Sequence, residues 1–360
     1  MARTAIIHIG TRKTGTTSIQ EALASAGDCL GSASYPIVGM DKDQNRIISL
    51  YIPPHEMPLA WQGLDRDLND KFKKVFFRQL GSKNDLIISA EALSSWFSLN
   101  AIQRLRSDLE AAEFHRVFIV LYIRDPADYF LSFTQQVIKS TSIAAPLGEK
   151  LETFKYPFRS IAEKWESVFP DGLIVRRYSN PKDGGIVRDF SVLLKQLLDI
   201  DVPTLSSMRN TSLSAEGMKI LQDYRLIYSE PKKPGVLTSD AQKLRDFLTR
   251  SLELVRQTKA VLRPEIAQFI RASHKKDADY MLDRYGLDLG SLEWLDAGVL
   301  VQSNYLVGDI VESYDDKIIE ELLLYYAKLS LGFDPTIKEI LLELEKRVLK
   351  RLARFFCFGA

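Results

Sequence analysis

The first residues able to do chemistry lie in TAIIHIGTRKTGTTSIQEAL, residues 4–23. An apolar run ends at Gly10. Thr11-Arg12-Lys13-Thr14-Gly15-Thr16-Thr17 follows, and then a helical pattern carrying Ile19 and Leu23. A strand, a glycine-containing turn and a helix start together aim free backbone N–H groups and the positive helix end at one point, which suits a phosphate. Arg12 and Lys13 add charge, and the hydroxyls of Thr14, Thr16 and Thr17 add donors. The order is not G-x-x-x-x-G-K-[ST], because the lysine precedes the second glycine, nor is it G-x-G-x-x-G. A plain strand–loop–helix junction with incidental threonines is the competing reading.

A second constellation sits about a hundred residues on, in VFIVLYIRDPADYFLSFTQQ. Arg124 ends a strongly apolar run. Asp125 fits an N-cap and Pro126 the first helical position. Ser132 follows two turns later. A guanidinium and a helix hydroxyl can grip one phosphate, the first by a paired contact and the second by a third bond. A capped helix with a surface arginine is the alternative.

Group transfer also needs a base. Glu91, in LIISAEALSSW, stands just past an apolar run, where partial burial would raise a carboxyl pKa toward a working range. The same residue equally fits a helix N-terminus favoured by the dipole. His55, in IPPHEMP, is the rival base. His8 falls inside the first apolar run and reads as a satisfied core residue, whereas His115 and His274 have charged neighbours and read as surface. No grouping of His, Cys, Asp and Glu has metal-ligand spacing, so no metal is implied.

Positioning these residues falls to short runs that are apolar on both faces: 4–9, 85–89, 117–123 and 173–177. Such runs suit buried parallel strands. Helical patterns separate them, with Ile102, Leu105 and Leu109 on one face and Val187, Phe190 and Leu194 on another. The alternation predicts an α/β fold, a parallel sheet flanked by helices, whose ligands bind beyond the carboxyl ends of the strands. The core spans 1–213, and 214–360 reads as a mostly helical C-terminal region packed on it. Residues 30–84, rich in proline, read as an excursion covering the sheet edge. A final helix follows Asp334 and Pro335, with Ile337, Leu341, Leu344, Val348 and Leu352 on one stripe.

Composition narrows the classes. The 360 residues carry 48 basic and 47 acidic side chains, a net charge of +1, which argues against nucleic-acid binding by bulk charge. Two cysteines, Cys29 and Cys357, cannot build a disulfide framework and point to a reducing compartment. The longest apolar stretch, Val117 to Ile123, falls far short of the ~18 residues a spanning helix needs. With no secretory signal in the first residues, the expectation is a cytoplasmic protein without a transmembrane segment. The basic, Phe-ended stripe of the last helix fits peripheral contact with an anionic membrane less well than packing on the body. Oligomeric state is not legible.

The loop G-x-x-K-T-G-T-T after a first strand resembles the 5′-phosphosulfate loop of sulfotransferases that use 3′-phosphoadenosine 5′-phosphosulfate (PAPS). The commoner form has a proline where this chain has Arg12. The arginine–proline–serine spacing of Arg124, Pro126 and Ser132 is similar to the 3′-phosphate site of that family. RNTSLSAE, residues 209–216, resembles a later segment in which Arg209 and Ser212 help hold the same phosphate, although a helix capped by Ser214 explains much of it. The resemblance covers about residues 4–215 and is to soluble, bacterial-type members with a P-loop-like fold. It implies PAPS as donor, adenosine 3′,5′-bisphosphate as product, no metal, and a glutamate or histidine base at about the place of Glu91. Lys13 would neutralise charge on the leaving phosphate during in-line displacement. The acceptor implied is the hydroxyl or amine of a small molecule, including secondary metabolites. A kinase-like phosphoryl-transfer enzyme and a non-catalytic nucleotide-binding protein of the same fold are the alternatives.

Overall fold

The computed structural model describes residues 3–57, 66–82, 84–140, 151, 153–178, 185–202, 212–228, 237–251, 256–295 and 306–331. By their contacts the residues form two compact units. The first comprises 1–130, 155–209 and 268–298; the second comprises 131–154, 210–267 and 299–360. The division is therefore discontinuous along the chain, whereas the sequence reading placed one boundary at 213/214.

The first unit is built on five strands: β1 (Arg3–Gly10), β2 (Ala33–Ser34), β3 (Asp85–Ser89), β4 (Phe114–Ile123) and β5 (Leu173–Arg177). They are all parallel, in the order β2-β3-β1-β4-β5. β1 is the middle strand, and helices cover both faces of the sheet, which is why Ala5, Ile6, Ile7 and Ile9 are all fully buried. The chain leaves β1 first toward β2 and β3, then crosses to β4 and β5. The carboxyl end of β1 is thus the point where the strand order reverses, the crevice in which ligands of open parallel sheets bind.

Helix α1 (Thr16–Ala26) covers one face with the helix over Gly185–Leu198. Ile19 and Leu23 meet Ile6, Ile87, Val120, Ile186, Phe190 and Leu194 in one apolar cluster. The alternate residues of the strands, such as Ile7, Ile88, Ile119 and Leu121, point to the opposite face. There the helices over Leu99–Ala111 and Phe158–Glu166 pack against β4. The face of Ile102, Leu105 and Leu109 is buried as the periodicity predicts. Val187 is only partly buried beside Phe190 and Leu194.

The strands at 85–89 and 173–177 match the apolar runs. β4 begins at Phe114 rather than 117, because its first residues pair with Arg3 and Thr4 while His115 and Arg116 stay exposed. The excursion between β1 and β3 does reach the sheet edge, through the two-residue β2 paired to β3. It also holds a 15-residue helix, Arg66–Leu80, which buries Phe72, Phe76 and Leu80 at i, i+4 and i+8.

In the second unit the described elements are helical, including Ala215–Tyr228, Ser239–Arg250 and Asp316–Leu331. Ser214 Oγ accepts the Gly217 N–H at 2.9 Å and so caps the first of these. The stripe that follows Asp334, with its basic and Phe-rich end, lies outside the described residues.

No described helix is long and apolar enough to cross a membrane.

Candidate active site

Three neighbouring strands deliver the charged residues of the first unit to one edge. β1 runs into the loop Gly10–Gly15, β3 runs into Glu91, and β4 runs into Arg124. Lys13 and Gly15 both have left-handed backbone, φ 62° and 76°. At Gly15 an added Cβ would stand 2.8 Å from Ile186 Cγ2, so the loop lies tight on the helix over Gly185–Leu198. At Gly10, φ 96°, an added Cβ would stand 3.3 Å from both Arg12 N and Glu91 Cβ. The stem of Glu91 therefore lies directly beside the start of the loop.

The loop is fastened largely by its own threonines. Thr14 Oγ1 donates to the Thr11 carbonyl at 2.6 Å, and Thr16 Oγ1 faces the same carbonyl at 3.2 Å. Thr16 also hydrogen bonds to Glu91. One hydroxyl proton serves one acceptor at a time, so it is shared between the two. Both threonines are buried, so their hydroxyls brace the loop from inside, where the sequence reading turned them outward as donors. Thr17 is exposed on the first turn of α1.

Arg124 reaches into the loop, with Nη1 donating to the Lys13 carbonyl at 3.2 Å. Its guanidinium carbon lies 5.1 Å from the Tyr178 ring centre. Its Nε is buried without a hydrogen-bond partner. Asp125 caps the following helix, Pro126–Ser140, by accepting the N–H groups of Ala127 and Asp128 at 3.0 Å each. Arg271 pairs with the other side of that carboxylate at 2.9 Å. With Asp125 engaged in this way, Arg124 keeps its charge for the loop.

Burial pushes the Glu91 carboxyl pKa up, and the nearby charge of Asp43 pushes it further, against the opposing pull of Arg12, Lys13 and Thr16. Asp43 comes from the excursion before β3. It is brought close because Gln44 and Asn45 pair with Ser89 and Ala92 on either side of Glu91. Burial pushes the Lys13 pKa down; Glu91 opposes this and Arg124 adds to it. The Arg12 guanidinium lies 6.0 Å from the ring centre of Trp96, which is partly exposed at the end of the short helix after Glu91.

His55 is exposed, with its ring 3.6 Å from Glu56. Of the two candidate bases, Glu91 is the one set beside Lys13. Ser132 belongs to the second unit, two turns into Pro126–Ser140. Arg209 lies outside the described residues.

His8 is fully buried, its Nδ1 2.8 Å from Ser89 Oγ, while Nε2 has no partner. Burial pushes its pKa down to about 3. His115 is exposed. His274 corrects the sequence reading: it is buried, not at the surface. Its Nε2 accepts the Tyr156 N–H at 3.0 Å, and its Nδ1 lies 2.7 Å from the Ile270 carbonyl.

Asp43, Tyr156 and Tyr178 join the site without a local motif to announce them. Among the described residues there is no His, Cys, Asp and Glu grouping fit for a metal. Comparison with protein-family models and with curated proteins finds no match to this chain.

Proposed function

We propose that the chain is a sulfotransferase, moving the sulfuryl group of PAPS to a hydroxyl or amine of a small-molecule acceptor. One observation carries this reading: a lysine loop, an arginine and a carboxylate with raised pKa meet at the carboxyl ends of three adjacent strands. The fit to a phosphate-bearing nucleotide is supported by the orphaned Nε of Arg124. Bound there, PAPS supplies an activated sulfuryl group on a phosphate leaving group.

Glu91 is the base. Its raised pKa makes it a better proton acceptor than an ordinary carboxylate, and its place beside the loop supports that role. Lys13 and the loop N–H groups supply positive charge where the leaving phosphate gains negative charge, a preorganised effect that needs no rearrangement. Arg124 binds an anion and ties it to the loop through the Lys13 carbonyl, so binding energy away from sulfur orients the reacting end. Arg12 stands where the commoner loop has proline, and its place over Trp96 turns it toward the Glu91 side. The reading rests on first-unit residues and assigns Ser132 no contact.

Calorimetric titration with adenosine 3′,5′-bisphosphate, and separately with ATP plus magnesium, tests it. Micromolar binding of the bisphosphate without metal, with little of ATP, is expected. Preference for magnesium ATP would replace the reading by phosphoryl transfer, and binding of neither would overturn it.

A further inference from the structure

Tyr156 is almost fully buried, and its hydroxyl touches both halves of the candidate site. It lies 2.6 Å from Thr11 Oγ1, and it accepts the Arg124 backbone N–H at 3.4 Å. The Thr11 hydroxyl donates to the Tyr122 carbonyl at 3.2 Å, which leaves Tyr156 O–H as the donor between the two hydroxyls. Thr11 in turn offers the carbonyl that fastens Thr14 and Thr16. One phenol thus sets the loop after β1 against the residue that follows β4.

The phenol is itself held from several directions. Its ring stacks on Tyr129 with centres 3.8 Å apart and 6° between planes, and it meets Phe158 edge-on at 5.1 Å. Its backbone N–H is fixed by the imidazole of His274, whose Nδ1–H is anchored on the Ile270 carbonyl. A buried tyrosine needing one partner would be satisfied by far less.

We infer that Tyr156 is a positioning residue for the anion site, its hydroxyl fixing the spacing between the Thr11 loop and Arg124, with His274 orienting it from behind. The role in ligand binding rests on the sulfotransferase reading; the role in holding the loop does not.

Tyr156→Phe keeps the ring and removes only the hydroxyl. Hydrogen exchange of the amides of Thr11–Thr17 is expected to quicken about tenfold, the equivalent of one neutral hydrogen bond, while Ile6, Ile7 and the β4 core amides stay slow. Bisphosphate affinity is expected to fall by a similar factor. Thr11→Val removes the same bond from its other side. Each single variant also loses a contact of its own, Thr11 with the Tyr122 carbonyl and Tyr156 with the Arg124 N–H. The double variant is therefore expected to cost less than the sum of the two by the one shared bond, a non-additivity that general destabilisation would not produce.

Unchanged loop exchange in Tyr156→Phe overturns the proposal whatever the ligand. If that variant fails to fold, unchanged loop exchange in Thr11→Val does the same. Faster exchange with no binding of the bisphosphate by the wild-type protein upholds the positioning role and removes the sulfotransferase reading. Faster exchange with unaltered affinity confines Tyr156 to the loop and overturns its role at the anion site.

Discussion

Glu91 and Glu216 are both withdrawn from water, one in each unit, and they are held in opposite ways. Glu216 is fully buried in the first turn of its helix, where Oε2 accepts the Thr258 N–H and Oε1 the Asp315 N–H, each at 3.0 Å. Those donors are backbone groups, and the carboxylate joins three separate stretches of chain. Glu91 is surrounded instead by side chains: a lysine, an arginine and a threonine hydroxyl that pull its pKa down, and Asp43 and burial that push it up. A charge satisfied by fixed backbone donors is a fastening. A charge balanced by movable side chains, with its pKa raised, is free to take a proton. Burial differs in degree, complete at Glu216 and partial at Glu91; the kind of partner differs as well, and it is the partner that sets the role.

The comparison breaks most visibly at Lys13. Lys13→Ala is expected to abolish sulfuryl transfer, by about 10³-fold or more in kcat, with the unfolding midpoint nearly unchanged. Near-normal turnover measured with labelled PAPS would remove the loop from the chemistry. Next comes Glu91→Gln, expected to lower the rate by about 10²–10⁴-fold while leaving bisphosphate affinity intact. Because a base works only when ionised, the wild-type rate should fall with acidification through a pKa above the ordinary carboxyl value of 4.5. That limb should vanish in the variant, and its persistence would assign the base elsewhere.

Glu216→Ala should do the reverse. Two part-buried backbone N–H groups lose their acceptor, at about 1 kcal/mol each, so urea unfolding shifts while bisphosphate affinity holds. A variant as stable as wild type would mean that Glu216 fastens nothing. The most gradual change is in acid. His8 and His274 have folded pKa values below the ordinary 6.5, so their contribution is complete above about pH 6.5, where both states are neutral. It is lost as pH falls and the unfolded chain takes up protons first, toward about pH 3 for His8, at up to about 1.4 kcal/mol per histidine per pH unit. Glu91 has the opposite sign, since its folded form holds a proton more tightly than the unfolded chain. Glu91→Gln should therefore steepen the acid loss, as chemical denaturation across pH can show.

Much of the sheet was legible because strands covered on both faces must be apolar throughout, and 85–89 could be read to the residue. The caps at Asp125 and Ser214 were legible for a similar reason, since a short polar side chain before a helix has one local use. The site was legible in so far as its residues cluster locally, as in the loop 10–17, or stand at strand ends, as do Glu91 and Arg124. Contacts across long separations were not. Tyr156 and Thr11 are 145 residues apart, and nothing near either one announces the other. His274 was misjudged from its charged neighbours. Its helical phase gives the better clue: it lies four residues from both Ile270 and Ala278, which are buried. The helix over Arg66–Leu80 was hidden by a charged composition, although Phe72, Phe76 and Leu80 keep the spacing.

Gly15 combines a left-handed backbone with a neighbour, Ile186, too close for any side chain. In genetic terms this predicts an asymmetric suppressor. A Gly15→Ala allele suffers from a clash and from backbone strain together. Ile186→Ala relieves only the clash, leaving the roughly 1–2 kcal/mol that a left-handed residue other than glycine costs. Revertants selected for restored function should therefore return glycine at 15 far more often than a smaller residue at 186, and compensating changes at 186 should rescue only in part.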